Sequence, residues 1–147
     1  MVAETLKLLK KTENENVSEK IFTEKELNEL ITEESDRGLV KKILELLQDS
    51  KAEGIVLIDV RDSSNLADYM FICEGRSQLH CRGIAENIVS RLKHIGEIHL
   101  GIEGELEGNW VLIDYGNIIL NVFHPEIRKY YNLEELYAPH QLKDRTN

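Results

Sequence analysis

The chain has few of the features that mark secreted or membrane-spanning proteins. Its only cysteines are Cys73 and Cys81, too few for the disulfide framework of a small secreted domain. Its longest apolar stretch, residues 111–122, is interrupted by polar residues and is shorter than the roughly 18 residues that a membrane-spanning helix needs. The first 20 residues are rich in glutamate and have no long apolar segment, unlike a signal or transit peptide. These absences predict a cytoplasmic protein that does not enter a membrane.

Clusters of basic residues are also missing, because no run of Lys or Arg is longer than two. The 147 residues include 27 acidic and 18 basic side chains, which gives a formal net charge of −9. Proteins that bind nucleic acid directly usually display a basic stripe that displaces counterions from phosphates. We therefore expect little direct contact with nucleic acid. The negative charge favours a basic partner, although excess acid can also serve solubility alone.

Patterns typical of catalytic and metal sites are absent as well. The five histidines and two cysteines show no C-x-x-C, H-x-x-x-H or other zinc spacing, and there is no G-x-S-x-G turn for a serine nucleophile. Asp59 and Asp62 follow a predicted strand, where α/β enzymes often place catalytic carboxylates, but their polar surroundings favour turn and cap roles. The sequence predicts no catalytic residue, no bound metal and no cofactor.

The composition of the chain changes near residue 36. Residues 1–36 contain five Lys, ten Asp or Glu and no Gly, whereas the remainder contains every Gly. Thr23 and Glu26 have the spacing of a helix capping box. Three apolar residues then share one helical face: Leu27, Leu30 and Ile31. We expect residues 1–36 to form an acidic extension, helical or partly disordered, and residues 37–147 to form one domain with its own core.

Helical and strand patterns alternate beyond the extension in the order α-β-β-α-β-β-β-α. Amphipathic helices are predicted over residues 36–51 and 77–96, and the second is capped by Ser77 and has Leu79 on its apolar face. Strands are predicted at residues 54–60, 69–75, 97–104 and in a hairpin between 109 and 123, with final helices beginning at Pro125. This order predicts an α/β (α+β) domain in which helices pack on a mixed sheet of about five strands.

The single tryptophan lies among carboxylates in the sequence GELEGNWVLIDYGNIILNVFHPE, residues 104–126. Strand alternation predicts that one face of the hairpin bears Trp110, Leu112 and Asp114, and the other Val111, Ile113 and Tyr115. Both Glu103 and Glu105 precede the hairpin and are expected to point to one side of the chain.

This composition is typical of a protein interface, in which aromatic side chains are surrounded by charges. The candidate partner-binding residues are Glu103, Glu105, Trp110, Leu112, Asp114 and Tyr115. The alternative for Trp110 is an ordinary core position beneath a helix, and patterning alone leaves both open.

Residues 38–138 resemble the Iojap or ribosomal silencing factor (RsfS) family. The similarity rests on IVLIDVRDSSNLADYMFICEGRSQLHCRGIAENI and GIEGELEGNWVLIDYGNIILNVFHPEIRKYYNLEELY, in that order. The combination of Gly-x-Glu-Gly, Trp-x-x-x-Asp-Tyr-Gly and His-Pro-Glu is specific. The resemblance maps the family's tryptophan onto Trp110 and its Gly-x-Glu-Gly acid onto Glu103. The long acidic extension departs from the family pattern.

The resemblance implies a domain related to nucleotidyltransferases that lacks their catalytic carboxylates. It further implies binding to the large ribosomal subunit through ribosomal protein fourteen, a block of subunit joining, and repression of translation when nutrients are scarce. Because organellar members assist large-subunit assembly, an assembly factor without silencing activity is an alternative. A divergent Mg²⁺-dependent nucleotidyltransferase that uses Asp59, Asp62 or Asp114 is another. The free protein could also form a homodimer, and the sequence leaves its oligomeric state open.

Overall fold

A computed structural model describes residues 22–63 and 65–137 and the backbone of residues 141–143. Residues 1–21 of the predicted extension lie outside the described part. Along the chain the elements are α1 (Glu24–Leu30), α2 (Glu34–Asp49), β1 (Glu53–Asp59), β2 (Tyr69–Glu74), α3 (Gln78–His94), β3 (Gly101–Glu103), β4 (Trp110–Asp114), β5 (Ile118–Phe123), α4 (Pro125–Tyr131), α5 (Leu133–Leu136) and β6 (Gln141–Lys143). Of the helices in these ranges, none is long and apolar enough to cross a membrane.

The strands form one mixed sheet in the order β3-β4-β5-β2-β1-β6. The central strands β2 and β5 are parallel, and the other neighbouring pairs are antiparallel. The predicted mixed sheet packed with helices is confirmed. The short β6 adds a strand that the sequence pattern did not reveal, and it pairs with β1 through Leu57 and Leu142.

The larger core lies between one face of the sheet and the helices α1, α2 and α3. Successive residues of β1 point to opposite faces of the sheet. Ile55 and Leu57 belong to this larger core, whereas Val56 and Ile58 belong to the core on the other face. Burial of β1 and β2 on both faces explains why their sequences are nearly continuous apolar runs.

The second core is smaller and is covered by the short helices α4 and α5. Its fully enclosed members come from the strands and the loop after β1, whereas α4 and α5 contribute Ile127 and Leu133, which are only partly buried. Neither helix contains a buried residue. This side of the sheet is therefore thinly covered.

Part of the predicted extension contributes to the larger core. Thr23 caps α1, and Thr23 and Glu26 exchange the hydrogen bonds of a capping box. The exposed fractions of the side chains that pack inward are small: 5% for Phe22, 3% for Leu27 and 0% for Ile31. The predicted domain boundary at residue 36 falls inside α2, and the division into an extension and a domain stays a prediction.

The predicted helix with Ser77 at its N-terminus corresponds to α3, and the Ser77 hydroxyl accepts a hydrogen bond from the His80 amide at 3.0 Å. The prediction that Leu79 lies on its apolar face is wrong, because 71% of Leu79 is exposed. The buried face follows Cys81, Ile84 and Ile88. With about 3.6 residues per turn, a residue two positions before Cys81 points away from that face.

Candidate interaction surface around Trp110

The hairpin strand β4 presents Trp110 and Leu112 to the thinly covered side of the sheet. Val111 and Ile113, which alternate with them along the strand, are fully buried in the larger core. Trp110 and Leu112 are half-buried and pack against the smaller core. The alternation expected from the sequence is observed at these four positions.

Neighbouring rings and one amide fix the orientation of the Trp110 indole. Its ring stacks on Phe123 at a centroid distance of 4.8 Å and lies against Tyr131 at 4.9 Å. The indole Nε1 donates a hydrogen bond of 2.9 Å to Oδ1 of Asn121. Asn121 is 1% exposed, and its Nδ2 donates to the carbonyl oxygen of Phe71 at 3.1 Å. The indole therefore belongs to the core at one edge and to the surface at the other, which combines both alternatives for Trp110.

Two tyrosines of α4 extend the aromatic area around Trp110. Tyr130 is 79% exposed and Tyr131 is 49% exposed, and their rings meet edge to face at 5.1 Å. Neither tyrosine is among the candidate residues predicted from the sequence. Two adjacent tyrosines near the end of a short helix were a signal, but only the tertiary fold brings Tyr131 against Trp110.

A mostly buried arginine fixes the position of α4, and this position brings Tyr131 against Trp110. Arg128 donates to Glu74 at the end of β2 at 3.0 Å, and to both carboxylate oxygens of Glu134 in α5 at 3.0 and 3.2 Å. Its side chain is 12% exposed. Because a buried guanidinium needs its charged partners, this arrangement restricts the movement of α4 and thereby of Tyr131.

Carboxylates border the aromatic residues on the β3 side. Glu103 is exposed and lies directly across from Leu112 in the β3–β4 pair, on the same face of the sheet. Asp114 is half-buried at the end of β4, where Oδ1 accepts a hydrogen bond of 2.7 Å from the Gly116 amide. We define the Trp110 surface as Glu103, Trp110, Leu112, Asp114, Tyr130 and Tyr131.

Two of the six candidate residues, Glu105 and Tyr115, lie outside the Trp110 surface. Glu105 faces α3 on the other side of the sheet, together with Ile102. The cause is Gly104, whose φ of +80° ends the strand alternation. Only glycine fits at this position, because a Cβ would lie 2.0 Å from the Trp110 carbonyl oxygen. Glu103 and Glu105 therefore point to different sides.

Tyr115 is the second such residue, because it packs against the larger core on the side opposite Trp110. Its hydroxyl is buried and has no hydrogen-bond partner among the described residues. Burial, together with the nearby Glu97 carboxylate, raises the pKa of Tyr115 to about 12. A buried neutral phenol has little to offer a partner protein.

The three aspartates considered for catalysis do not converge. Asp59 pairs with Arg61 at 2.7 Å, and Asp62 is exposed in the following turn. Asp59 and Asp114 end strands at the same edge of the sheet, but three strand spacings separate β1 from β4, about 14 Å. Asp59 follows Leu57 on the larger-core face, whereas Asp114 follows Leu112 on the other. Within the described ranges, no group of three His, Cys, Asp or Glu side chains is arranged to hold a metal ion.

Both cysteines are free and buried. Burial raises the pKa of the Cys73 thiol far above its ordinary value and also raises that of Cys81. Because the thiolate is the reactive form, neither side chain is suited to nucleophilic chemistry in the folded protein.

The fold and the surface define a small α/β protein with a helical layer on one face and a partly covered aromatic area on the other. The family model described as "Ribosomal silencing factor during starvation" matches residues 32–147. The chain therefore belongs to the ribosomal silencing factor (RsfS) family.

Individual relatives agree with this assignment. The chain is 34% identical over 110 residues to the ribosomal silencing factor RsfS of Bacillus subtilis, which covers 75% of this chain and 93% of that protein. A crystal structure of a protein from Chromobacterium violaceum superimposes with a TM-score of 0.67 at 30% identity, covering 69% of this chain and 85% of the other. The mouse protein named mitochondrial assembly of ribosomal large subunit protein 1 is 27% identical over 109 residues, covering 72% of this chain and 48% of the mouse protein.

Proposed function

We propose that this protein is a cytoplasmic, non-enzymatic silencing factor. In this proposal it binds the large ribosomal subunit through ribosomal protein fourteen, prevents the small subunit from joining, and represses translation when nutrients are limiting. The observation that carries the proposal is the family match over residues 32–147. A homodimer of the free protein is compatible with the proposal and is not required by it.

The Trp110 surface supports the proposal as the binding site. Interface hot spots are enriched in Trp and Tyr, and they lie where a rigid side chain can be fully desolvated by the partner. Trp110 is rigid because Phe123, Tyr131 and Asn121 hold it, yet it is only half-buried. A partner that covers it would bury aromatic area without having to order the side chain first.

The charge of the chain supports a basic protein as the partner in preference to bare RNA. The net charge is −9, and the Trp110 surface includes the exposed Glu103. Carboxylates next to an apolar contact attract Lys and Arg and repel phosphates. The chain could therefore recognise one basic ribosomal protein while avoiding the surrounding RNA.

The proposal is tested by co-sedimentation of the protein with separated large and small subunits. We expect the protein to pellet with the large subunit and to stay in the supernatant with the small one. Tyr130→Ala and Glu103→Lys should reduce pelleting with the large subunit, whereas Glu29→Lys, on the exposed side of α1, serves as a charge-matched control. Equal pelleting with both subunits would contradict the proposal.

The second candidate function is assembly of the large subunit without silencing. The name of the mouse relative favours it, and it uses the same contact with the large subunit. Cells that lack the protein would then accumulate immature large subunits during growth. Under the silencing proposal they would instead translate excessively during starvation and have normal subunit profiles, so sucrose-gradient analysis separates the two.

A further inference from the structure

A cavity lies on the side of the sheet opposite the Trp110 surface. It has a volume of about 500 Å³ and opens between α3 and the loop that joins β3 to β4, residues 104–109. Ala85, Val89 and Ile102 form its apolar wall, and Arg82 and Glu105 also line it. Ligand pockets in proteins measure roughly 300–1,000 Å³ and combine an apolar lining with a few polar groups. The cavity has both properties.

Three charged side chains line the cavity, Arg82, Glu105 and the exposed Glu86, and the first two each have a buried polar atom without a partner in the described part of the chain. Arg82 Nε and Glu105 Oε2 are buried and have no hydrogen-bond partner among the described residues. The guanidinium Nη1 donates a single long hydrogen bond of 3.3 Å to the Leu106 carbonyl oxygen. Buried polar groups are nearly always paired in folded proteins, so a missing partner at both positions points to one supplied from outside.

The loop above the cavity is held at its ends and uncovered at its centre. Gly108 has a φ of +78°, and a Cβ there would lie 2.5 Å from the Gln78 carbonyl oxygen, so this end rests directly on the start of α3. The neighbouring Asn109 accepts a hydrogen bond of 2.6 Å from the Gln78 side chain. Leu106, between the two glycines, is 83% exposed. A shift of this central part would uncover the two buried atoms while the ends stay in place.

We infer that this cavity binds a small zwitterion with an apolar side chain, the chemical class of the apolar α-amino acids. The ligand's carboxylate would pair with Arg82, its ammonium group with Glu105, and its side chain would contact Val89 and Ile102. A simple anion would leave Glu105 unpaired, and a simple cation would leave Arg82 unpaired. Since a buried polar atom without a hydrogen-bond partner is unfavourable, a ligand with both charges fits best. This inference is independent of the proposed function because it concerns the other side of the sheet.

L-leucine is the probe for a calorimetric titration of the full chain. We expect saturable binding of L-leucine and an increase in the midpoint of thermal unfolding with ligand concentration. Arg82→Met and Glu105→Gln should each weaken binding at least about tenfold, the effect of losing one charge-assisted pair. The matched controls are Arg91→Met on the exposed side of α3 and Glu107→Gln in the same loop, which should bind as the wild type does.

Ligand analogues test the same inference on the wild-type chain, so the result does not depend on the folding of a variant. Leucine methyl ester lacks the carboxylate, and N-acetyl-leucine lacks the ammonium group. Both should bind at least about tenfold more weakly than L-leucine. The inference is overturned if L-leucine gives no saturable heat up to its solubility limit, or if either analogue binds as tightly as L-leucine. It is also overturned if the Arg82 and Glu105 variants, shown to be folded by circular dichroism, bind as the wild type does.

Discussion

Replacement of Asn121 tests whether the Trp110 surface is built on a buried hydrogen-bond pair. Asn121 accepts from the indole Nε1 at 2.9 Å and donates to the Phe71 carbonyl oxygen at 3.1 Å. Asn121→Leu keeps the branching and the number of heavy atoms of the side chain but removes both hydrogen bonds. Each bond contributes about 1 kcal/mol, and an indole N–H left without a partner adds to the cost. We expect the free energy of unfolding to fall by about 2–3 kcal/mol, a substantial share of the roughly 5–15 kcal/mol typical of a domain.

A double-mutant cycle with Trp110→Phe isolates the indole hydrogen bond. Phenylalanine keeps a ring against Phe123 but has no N–H donor, so the bond to Asn121 is absent in that variant as well. If the bond stabilises the fold, the double variant should be about 1 kcal/mol more stable than the sum of the single effects predicts. Urea unfolding followed by far-ultraviolet circular dichroism measures all four proteins. Strictly additive effects would refute the argument that Asn121 holds Trp110.

Further predictions concern charge, pH and the N-terminal segment. Glu103→Lys should slow association with the large subunit about tenfold at low salt, and the difference from the wild type should shrink as salt rises; a stopped-flow measurement in which Glu29→Lys slows association equally would refute a local role for Glu103. Because the folded-state pKa of Tyr115 is raised to about 12, Tyr115 ionises in the unfolded chain at a lower pH than in the folded protein. The free energy of unfolding is therefore unaffected by this group below about pH 10 and falls as the pH rises from about 10 to about 12. Tyr115→Phe lacks this loss and should be at least as stable as the wild type at pH 7, because the buried hydroxyl has no partner within the described ranges; urea unfolding across this range in which both proteins lose equal stability would exclude Tyr115 as the cause. Deletion of residues 1–36 removes the buried Phe22, Leu27 and Ile31 and should cost more than about 4 kcal/mol relative to the fragment 22–147; equal thermal stability of the two fragments would instead support an independent domain at 37–147.

Most of the sheet could be predicted because its signals are local. The apolar runs of β1 and β2 identify strands that are buried on both faces, and the hydroxyl of Ser77 marks the start of α3. Alternation along β4 placed Trp110 and Leu112 on one face. The three-residue β6 could not be recognised, because its pairing with β1 comes from distant parts of the chain.

The composition of the candidate site was harder to predict because it depends on tertiary structure. Glu105 was grouped with Glu103 by alternation, which fails where Gly104 adopts a positive φ. Tyr131 reaches Trp110 only because Arg128 holds α4 against Glu74. Neither fact has a signature in the spacing of the residues concerned.

A subunit-joining assay followed by light scattering tests the proposed silencing function directly. Purified large subunits are incubated with the protein at a ratio at which co-sedimentation shows them to be saturated, and small subunits are then added. We expect the rise in scattering to be strongly reduced, and we expect Asn121→Leu and Tyr130→Ala to restore joining in proportion to their loss of binding. Joining at an unchanged rate on saturated large subunits would contradict a silencing function.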